Sequence, residues 1–222
     1  MGTGLDDVSY EYIFGKEGAK MIRVLMCGPL ADSGGVSNHT KHLVKNLSRN
    51  GIEVIFHNFN EKTIKQKSLS KIYQRTLGLL IFAIRKRKEY DIMHIQSSGG
   101  IYSFTSALTG CVVSNIVNRK IIITFHHSKT KSFINKYKRF FEFVLKQTNK
   151  MVLVSNSQKN TVNYTFPQYE EKIEVIPNGY DPTLFYQIDT VKARKIVNID
   201  SKTKNIVNVS NLIDSKGHKY LI

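Results

Sequence analysis

Two kinds of residue are scarce in this chain: cysteine and the acids. Its 222 residues include only two cysteines. Cys27 sits in an apolar run and Cys111 among small and apolar residues, far apart in sequence. That excludes a disulfide scaffold and a cysteine metal site, and it predicts two buried free thiols in a reducing compartment. Asp and Glu together number 17 against 33 Lys and Arg, a net charge of +16. Several of the acids lie in the first twenty residues or on predicted helices. No carboxylate pair suited to glycoside hydrolysis stands out, nor a Gly-x-Ser-x-Gly elbow, nor a Cys–His nucleophile pairing. Long hydrophobic runs are missing too. The strongest, Leu77-Gly78-Leu79-Leu80-Ile81-Phe82-Ala83-Ile84, is far shorter than the ~20 residues a spanning helix needs. The first residues lack the basic start and apolar stretch of a secretory signal. The expected location is cytoplasmic, with peripheral docking on the inner face of the cytoplasmic membrane.

The excess positive charge concentrates in residues 65–88, ending Arg85-Lys86-Arg87-Lys88, and in residues 129–150. In the second stretch Phe133, Tyr137, Phe140, Phe141 and Phe143 interleave with the basic residues. Basic and aromatic side chains on one helix suit an anionic bilayer surface, each well-placed Lys or Arg adding about 1 kcal/mol. The same composition suits nucleic acid, although no recognition helix or RNA-binding aromatic signature accompanies it. A uniformly basic surface with no partner is the third reading.

Residues 1–20 show no clear period and read as an extension, either a leader or an ordered arm. From Met21 onward, short apolar runs alternate with long amphipathic stretches. Strands are expected at 21–27, 52–56, 91–95, 120–125, 151–154 and 173–176. Helices are expected at 36–50, 64–89, 101–117 and 132–147, with a further one behind the N-cap candidates at 155–157. The near-continuous apolar strands predict an α/β fold, a parallel Rossmann-like sheet with helices on both faces. Residues 21–179 form that domain. Residues 180–203, with a short helix around 191–199, read as a connector. Residues 204–222 read as a strand, a polar loop and a first helical turn, the start of a second βα domain.

In such a sheet, ligands bind beyond the carboxyl ends of the strands. Three loops fall there. The first, Asp32-Ser33-Gly34-Gly35-Val36, opens a helix. Glycine lets backbone approach a ligand, and a helix N-terminus offers free N–H groups to a phosphate. A tight turn with no ligand is the alternative, and neither a Walker loop nor a dinucleotide fingerprint is present. The second, Gln96-Ser97-Ser98-Gly99-Gly100, forms a polar rim behind His94, itself a hydrogen-bonded core residue or a catalyst. The third, Thr124-Phe125-His126-His127-Ser128, puts two histidines on alternate faces of a strand end. They form either a structural pair or one half of an active site. No metal site is expected there, since Cys, Asp and Glu are absent at ligand spacing.

In order along the chain, several motifs together resemble the family 4 retaining glycosyltransferases of the GT-B fold. They are Gly34-Gly35-Val36-Ser37-Asn38-His39, Asn50-Gly51-Ile52-Glu53-Val54, Asp91-Ile92-Met93-His94, Thr124-Phe125-His126, Val154-Ser155-Asn156-Ser157, Ile176-Pro177-Asn178-Gly179-Tyr180-Asp181 with Phe185, and Lys216-Gly217-His218. The resemblance spans residues 21–222. It implies an N-terminal domain that receives the acceptor and a C-terminal domain that holds a nucleotide sugar. It implies that the Gly34 and Gly35 amides approach the donor diphosphate. His126 would lie beside the transferred sugar, and Lys216 would neutralise the leaving diphosphate. His39, His94, Ser98 and His127 are the acceptor-side candidates. No cofactor or divalent metal is implied, and the partners are a nucleotide sugar and a glycan or lipid-linked acceptor. The family's Arg, often in Gly-Arg-Leu, is replaced here by Asn211, and the family's paired donor-gripping glutamates do not occur before Ile222. The chain therefore reads as the acceptor-side portion of a transferase that is inactive alone, or as a non-catalytic subunit whose donor domain is a separate chain.

Overall fold

The computed structural model describes residues 21–30, 34–59, 68–200, 203–210, 212 and 214–221. The extension 1–20, the Asp32-Ser33 corner of the glycine loop, residues 64–67 of the expected long helix, and Asn211 lie outside the described residues. The chain divides into two compact units, Met1–Gly179 and Tyr180–Ile222.

In the first unit β1 (Arg23–Gly28) leads to α1 (Gly35–Arg49), and β2 (Glu53–Asn58) to α2 (Ser68–Arg75) and α3 (Leu77–Arg85). Next come β3 (Ile92–Ser98) and α4 (Ile101–Val117), then β4 (Lys120–His126) and α5 (Thr130–Gln147). The unit ends with β5 (Lys150–Leu153), α6 (Asn156–Thr165) and β6 (Ile173–Val175). All six strands pair in parallel, in the order β2-β1-β3-β4-β5-β6. This is a Rossmann-like α/β sheet. The chain runs outward from β1 to β2, then returns to the other side of β1 and builds β3 to β6 in the opposite direction. Right-handed crossovers in opposite directions place their helices on opposite faces. The carboxyl ends of β1 and β3 therefore flank the topological switch point, where such sheets bind ligands.

Side-chain alternation sorts the core into two layers. On the α1 face Val24, Met26, Ile92, Ile122 and Val152 pack with Leu47. On the other face Leu25, Met93, Ile95, Ile121, Ile123, Phe125, Met151 and Leu153 join residues of α3 to α6. An aromatic cluster holds β4 in that layer. Phe104 stacks on Phe141 at 5.7 Å and 7°, and Phe125 meets Phe141 edge-on at 5.3 Å. Phe133 contacts both Phe104 and Phe125. Such pairs add about 0.5–1.5 kcal/mol each beyond their buried area. Both cysteines are buried free thiols. At the amino-terminal edge, Arg23 makes a two-pronged pair with Asp91, Nε donating to Oδ2 at 3.1 Å and NH2 to Oδ1 at 3.0 Å.

Two elements differ from expectation. The single long helix expected over 64–89 is broken among its described residues into α2 and α3, with Thr76 between them at φ −119°, ψ −95°. The Thr76 hydroxyl donates back to the Ile72 carbonyl at 2.8 Å, a local bond that competes with the helical ladder. The Gln74 carbonyl is instead engaged by His57 Nε2 at 2.9 Å. Within α5, Tyr137 leaves helical geometry at φ −125°, ψ 34°, giving a kink that the periodicity did not signal.

The second unit contains α7 (Thr190–Ile196), whose N-cap Asp189 accepts from the Val191 and Lys192 amides, both at 3.1 Å. The strand expected at 205–209 does not form. Ile206, Val207 and Val209 are exposed, and no neighbouring strand supplies a ladder among the described residues. A lone β-strand leaves its backbone donors and acceptors without partners, so apolar alternation alone does not make one. The expected helical turn is replaced by 3-10 turns at Asp214–Lys216 and His218–Tyr220.

Candidate functional site

The α1-facing side of the sheet changes character along the strands. Ile92 and Ile122 are apolar, but the next inward positions are His94, Gln96 and Ser98 on β3, and Thr124 and His126 on β4. The register pairs Gln96 with Thr124 and Ser98 with His126. The carboxyl half of this face therefore carries a polar stripe where its amino half carries core.

The stripe is one connected chain. His94 Nε2 lies 2.8 Å from the Thr124 hydroxyl and 3.1 Å from Gln96 Nε2. At the other end of the same side chain, Gln96 Oε1 accepts from His126 Nε2 at 2.8 Å. The carboxamide has one donating and one accepting end, so it fixes the proton positions. Its NH2 facing His94 makes that Nε2 an acceptor, and its oxygen facing His126 requires a proton on His126 Nε2. The lone pair of His126 then resides on Nδ1. The Met26 sulfur, a weak acceptor 3.6 Å from the same nitrogen, supports that orientation of the carboxamide.

Packing leaves Gln96 little freedom. It is buried, and its NH2 also lies 3.6 Å from the Met26 sulfur. A β-carbon on Gly28, at the end of β1, would come within 3.0 Å of the Gln96 Cβ and 3.2 Å of the Thr40 Cγ2. Glycine there lets β1, β3 and α1 close over the carboxamide.

Burial also sets the charge state. Removal from water pulls His126 down from 6.5 to about 3, with the nearby His39 acting in the same direction. His94 is likewise pulled down to about 3, by burial first, then by His39 and His126. A low-dielectric surround disfavours the imidazolium. Both rings are neutral at physiological pH. The His39 ring, from α1, sits 4.8 Å from that of His126 at an interplanar angle of 63°.

The remaining candidates take different positions. His94 is 4% exposed and supports Gln96 from beneath, without reaching the surface. Ser98 is tied to the start of α4: its amide and its hydroxyl both bond the Ser103 hydroxyl at 2.9 Å. His127 turns to the opposite face of the sheet and packs edge-on against Phe125 and Phe133. Gly34 is the N-cap of α1 at φ 116°, ψ 140°, with no side-chain cap. Space for a β-carbon is open at both Gly34 and Gly35. That backbone conformation is a glycine one, and among the described residues no side chain caps the helix there. Lys216 belongs to the second unit, in the Asp214–Lys216 turn. Among the described residues no three His, Cys, Asp or Glu side chains converge to hold a metal ion, and no helix is long and apolar enough to cross a membrane.

Sequence reasoning treated Gln96 only as part of a polar rim. Its bridging role depends on the β3–β4 register, a non-local fact. The available signal was the period-2 spacing His94-x-Gln96-x-Ser98 facing Thr124-x-His126.

The sequence model of Glycosyltransferase Family 4 matches residues 33–184. That is more than half of the chain, and it takes in α1, the Gln96 bridge and both strand-end histidines. The chain belongs to this family. No curated protein matches it.

Proposed function

We propose that this family 4 member acts in retaining, nucleotide-sugar-dependent glycosyl transfer to a lipid-linked or envelope glycan acceptor. The observation that carries the reading is the neutral His126, held by Gln96 at the carboxyl end of β4. When a nucleotide sugar reacts, the anomeric C–O bond breaks and the nucleoside diphosphate leaves with the electron pair. The acceptor oxygen bonds the same face of the sugar, and its proton passes to the departing diphosphate. Positive charge develops on the sugar and negative charge on the phosphate. An imidazolium beside the sugar would oppose that step. A neutral ring with its lone pair on Nδ1 favours it, and a preorganised dipole of this kind is a large catalytic contribution. On the phosphate side the same reading assigns the backbone amides at Gly34 and Gly35. No divalent metal is required in this scheme, because amides at a helix N-terminus take that role.

A bilayer location fits the surface of α5. Arg139, Phe143 and Lys146 follow i, i+4, i+7 spacing, which places them on one helical face, with Phe140 flanking it. All four are exposed, Phe140 by 51% and Phe143 by 38%. Aromatic rings between cations suit the headgroup boundary of an anionic membrane.

The test is saturation-transfer NMR of the purified chain with UDP- and GDP-sugars, alongside a transfer assay on a membrane lipid extract. Sugar-nucleotide contact, and any transfer to the extract, that disappears in His126→Ala is the expected result. Complete lack of nucleotide-sugar contact overturns the transferase reading.

A further inference from the structure

A second feature opens at the carboxyl edge of the sheet, between the loops that follow β4 and β5. It is a hollow of about 840 Å³, walled on one side by Lys129, Lys131, Ser132, Asn135 and Lys136, and on the other by Ser157 and Thr161. Three lysines face it, and no acid lines it. None of those lysines belongs to an ion pair among the described residues; the pairs there are Arg23–Asp91, Lys86–Glu89 and Lys150–Glu174. The rest of the wall is hydroxyls and carboxamides. Such a surface offers hydrogen-bond donors and positive charge, the complement of a phosphate.

The floor is rigid. Gln158 is 5% exposed and ties the two loops together. Its Nε2 donates to the His127 carbonyl at 2.9 Å and to the Thr130 hydroxyl at 3.2 Å, while its Oε1 accepts from the Val154 amide at 2.8 Å. Ser155 caps α6 by accepting from the Gln158 amide at 3.3 Å. The kink at Tyr137 turns α5 just beyond Lys136. The hollow is also close to the proposed reaction centre: Ser128, in its wall, is two residues from His126, so their Cα atoms are within about 7 Å.

We infer that this hollow binds a phosphate or diphosphate group carried by the acceptor. As an acceptor anchor the inference rests on the transferase reading; as an anion site it stands independently. Two sources share this chemistry, an isoprenoid phosphate in a bilayer and a soluble phosphorylated compound.

Inorganic pyrophosphate is the probe, titrated by calorimetry and by amide NMR, with folding of each variant checked by circular dichroism. Saturable binding is expected, with shifts at Lys129, Thr130 and Ser157. The triple change Lys129→Gln, Lys131→Gln, Lys136→Gln weakens it more than tenfold. The control pair Lys45→Gln, Lys138→Gln, outside the hollow, changes it less than twofold. A single Lys131→Glu repeats the test should the triple variant fold poorly. Vesicles separate the sources. Preference for neutral vesicles carrying an isoprenoid phosphate over vesicles of equal charge made with phosphatidylglycerol assigns a lipid-borne group; pyrophosphate binding without that preference assigns a soluble one. No pyrophosphate binding, or equal loss in the triple and control variants, overturns the inference. If nucleotide-sugar contact persists in that case, this inference falls alone. If pyrophosphate binds while nucleotide sugars do not, the anion site stands and the transferase reading falls.

Discussion

The buried histidines make stability depend on pH with a definite sign and size. His94 has the cleaner environment: it is 4% exposed and bonded to Thr124 and Gln96. Its folded pKa, about 3, lies below the ordinary histidine value of 6.5. The unfolded chain therefore binds this proton first, and acid favours unfolding. The contribution is complete above pH 6.5, declines as pH falls, and levels off only near 3. Between pH 7 and 5 the loss is about 2 kcal/mol for one such histidine, at 1.36 kcal/mol per pH unit below the unfolded pKa. The perturbation is His94→Gln, which removes the titrating ring but keeps hydrogen-bonding groups near Thr124 and Gln96. Urea unfolding, followed by far-ultraviolet circular dichroism because the chain has no tryptophan, gives the stability of each protein at both pH values. The substitution has its own cost at pH 7. The informative quantity is how the gap between wild type and variant changes, because the other histidines titrate alike in both. That gap is expected to shrink by about 2 kcal/mol on going to pH 5. A gap that stays constant refutes the reasoning, since it means His94 takes up its proton as easily folded as unfolded.

Gly99→Ala drives a β-carbon into the His127 ring, and that ring is backed by Phe125 and Phe133; a loss of about 1–3 kcal/mol is expected from urea midpoints. Gly35→Ala, where the space is open, is the contrast, and it is expected to leave stability unchanged or raised. Gln96→Leu removes the acceptor for His126 Nε2, so nitrogen-15 spectra are expected to change from a single Nε2–H tautomer in the wild type to a mixture. An unchanged tautomer in that variant removes Gln96 from the positioning role.

Local pattern made most of the sheet legible. Parallel strands buried on both faces need continuous apolar runs, and residues 24–27, 121–123 and 151–153 supply them. The same alternation correctly separated His126 from His127. It failed where the outcome depends on something outside the segment. Residues 205–209 alternate like a strand but find no ladder. Residues 77–84 continue a helical pattern, yet Thr76 bonds backward to Ile72 and His57 takes the Gln74 carbonyl, so the helix breaks. The kink at Tyr137 has no glycine or proline to announce it.

The stripe of His94, Gln96, Thr124 and His126 was invisible for a related reason, and its position explains its chemistry. These residues have the same inward parity as Val24, Met26, Ile92 and Ile122, so α1 covers them as it covers the core. A buried polar group costs about 1–3 kcal/mol when left unpaired, so each member needs the next. One carboxamide meets that need for two histidines by presenting its amino end to one and its oxygen to the other. Replacing Gln96 with another polar residue does not preserve this. Glutamate would offer oxygen to both rings, lose its donor bond to His94 Nε2, and place a negative charge against His126 Nε2, raising that pKa. Burial keeps His126 neutral, and the directionality of the glutamine, rather than its polarity, is what leaves the lone pair on Nδ1. That state is the one the proposed transfer step requires.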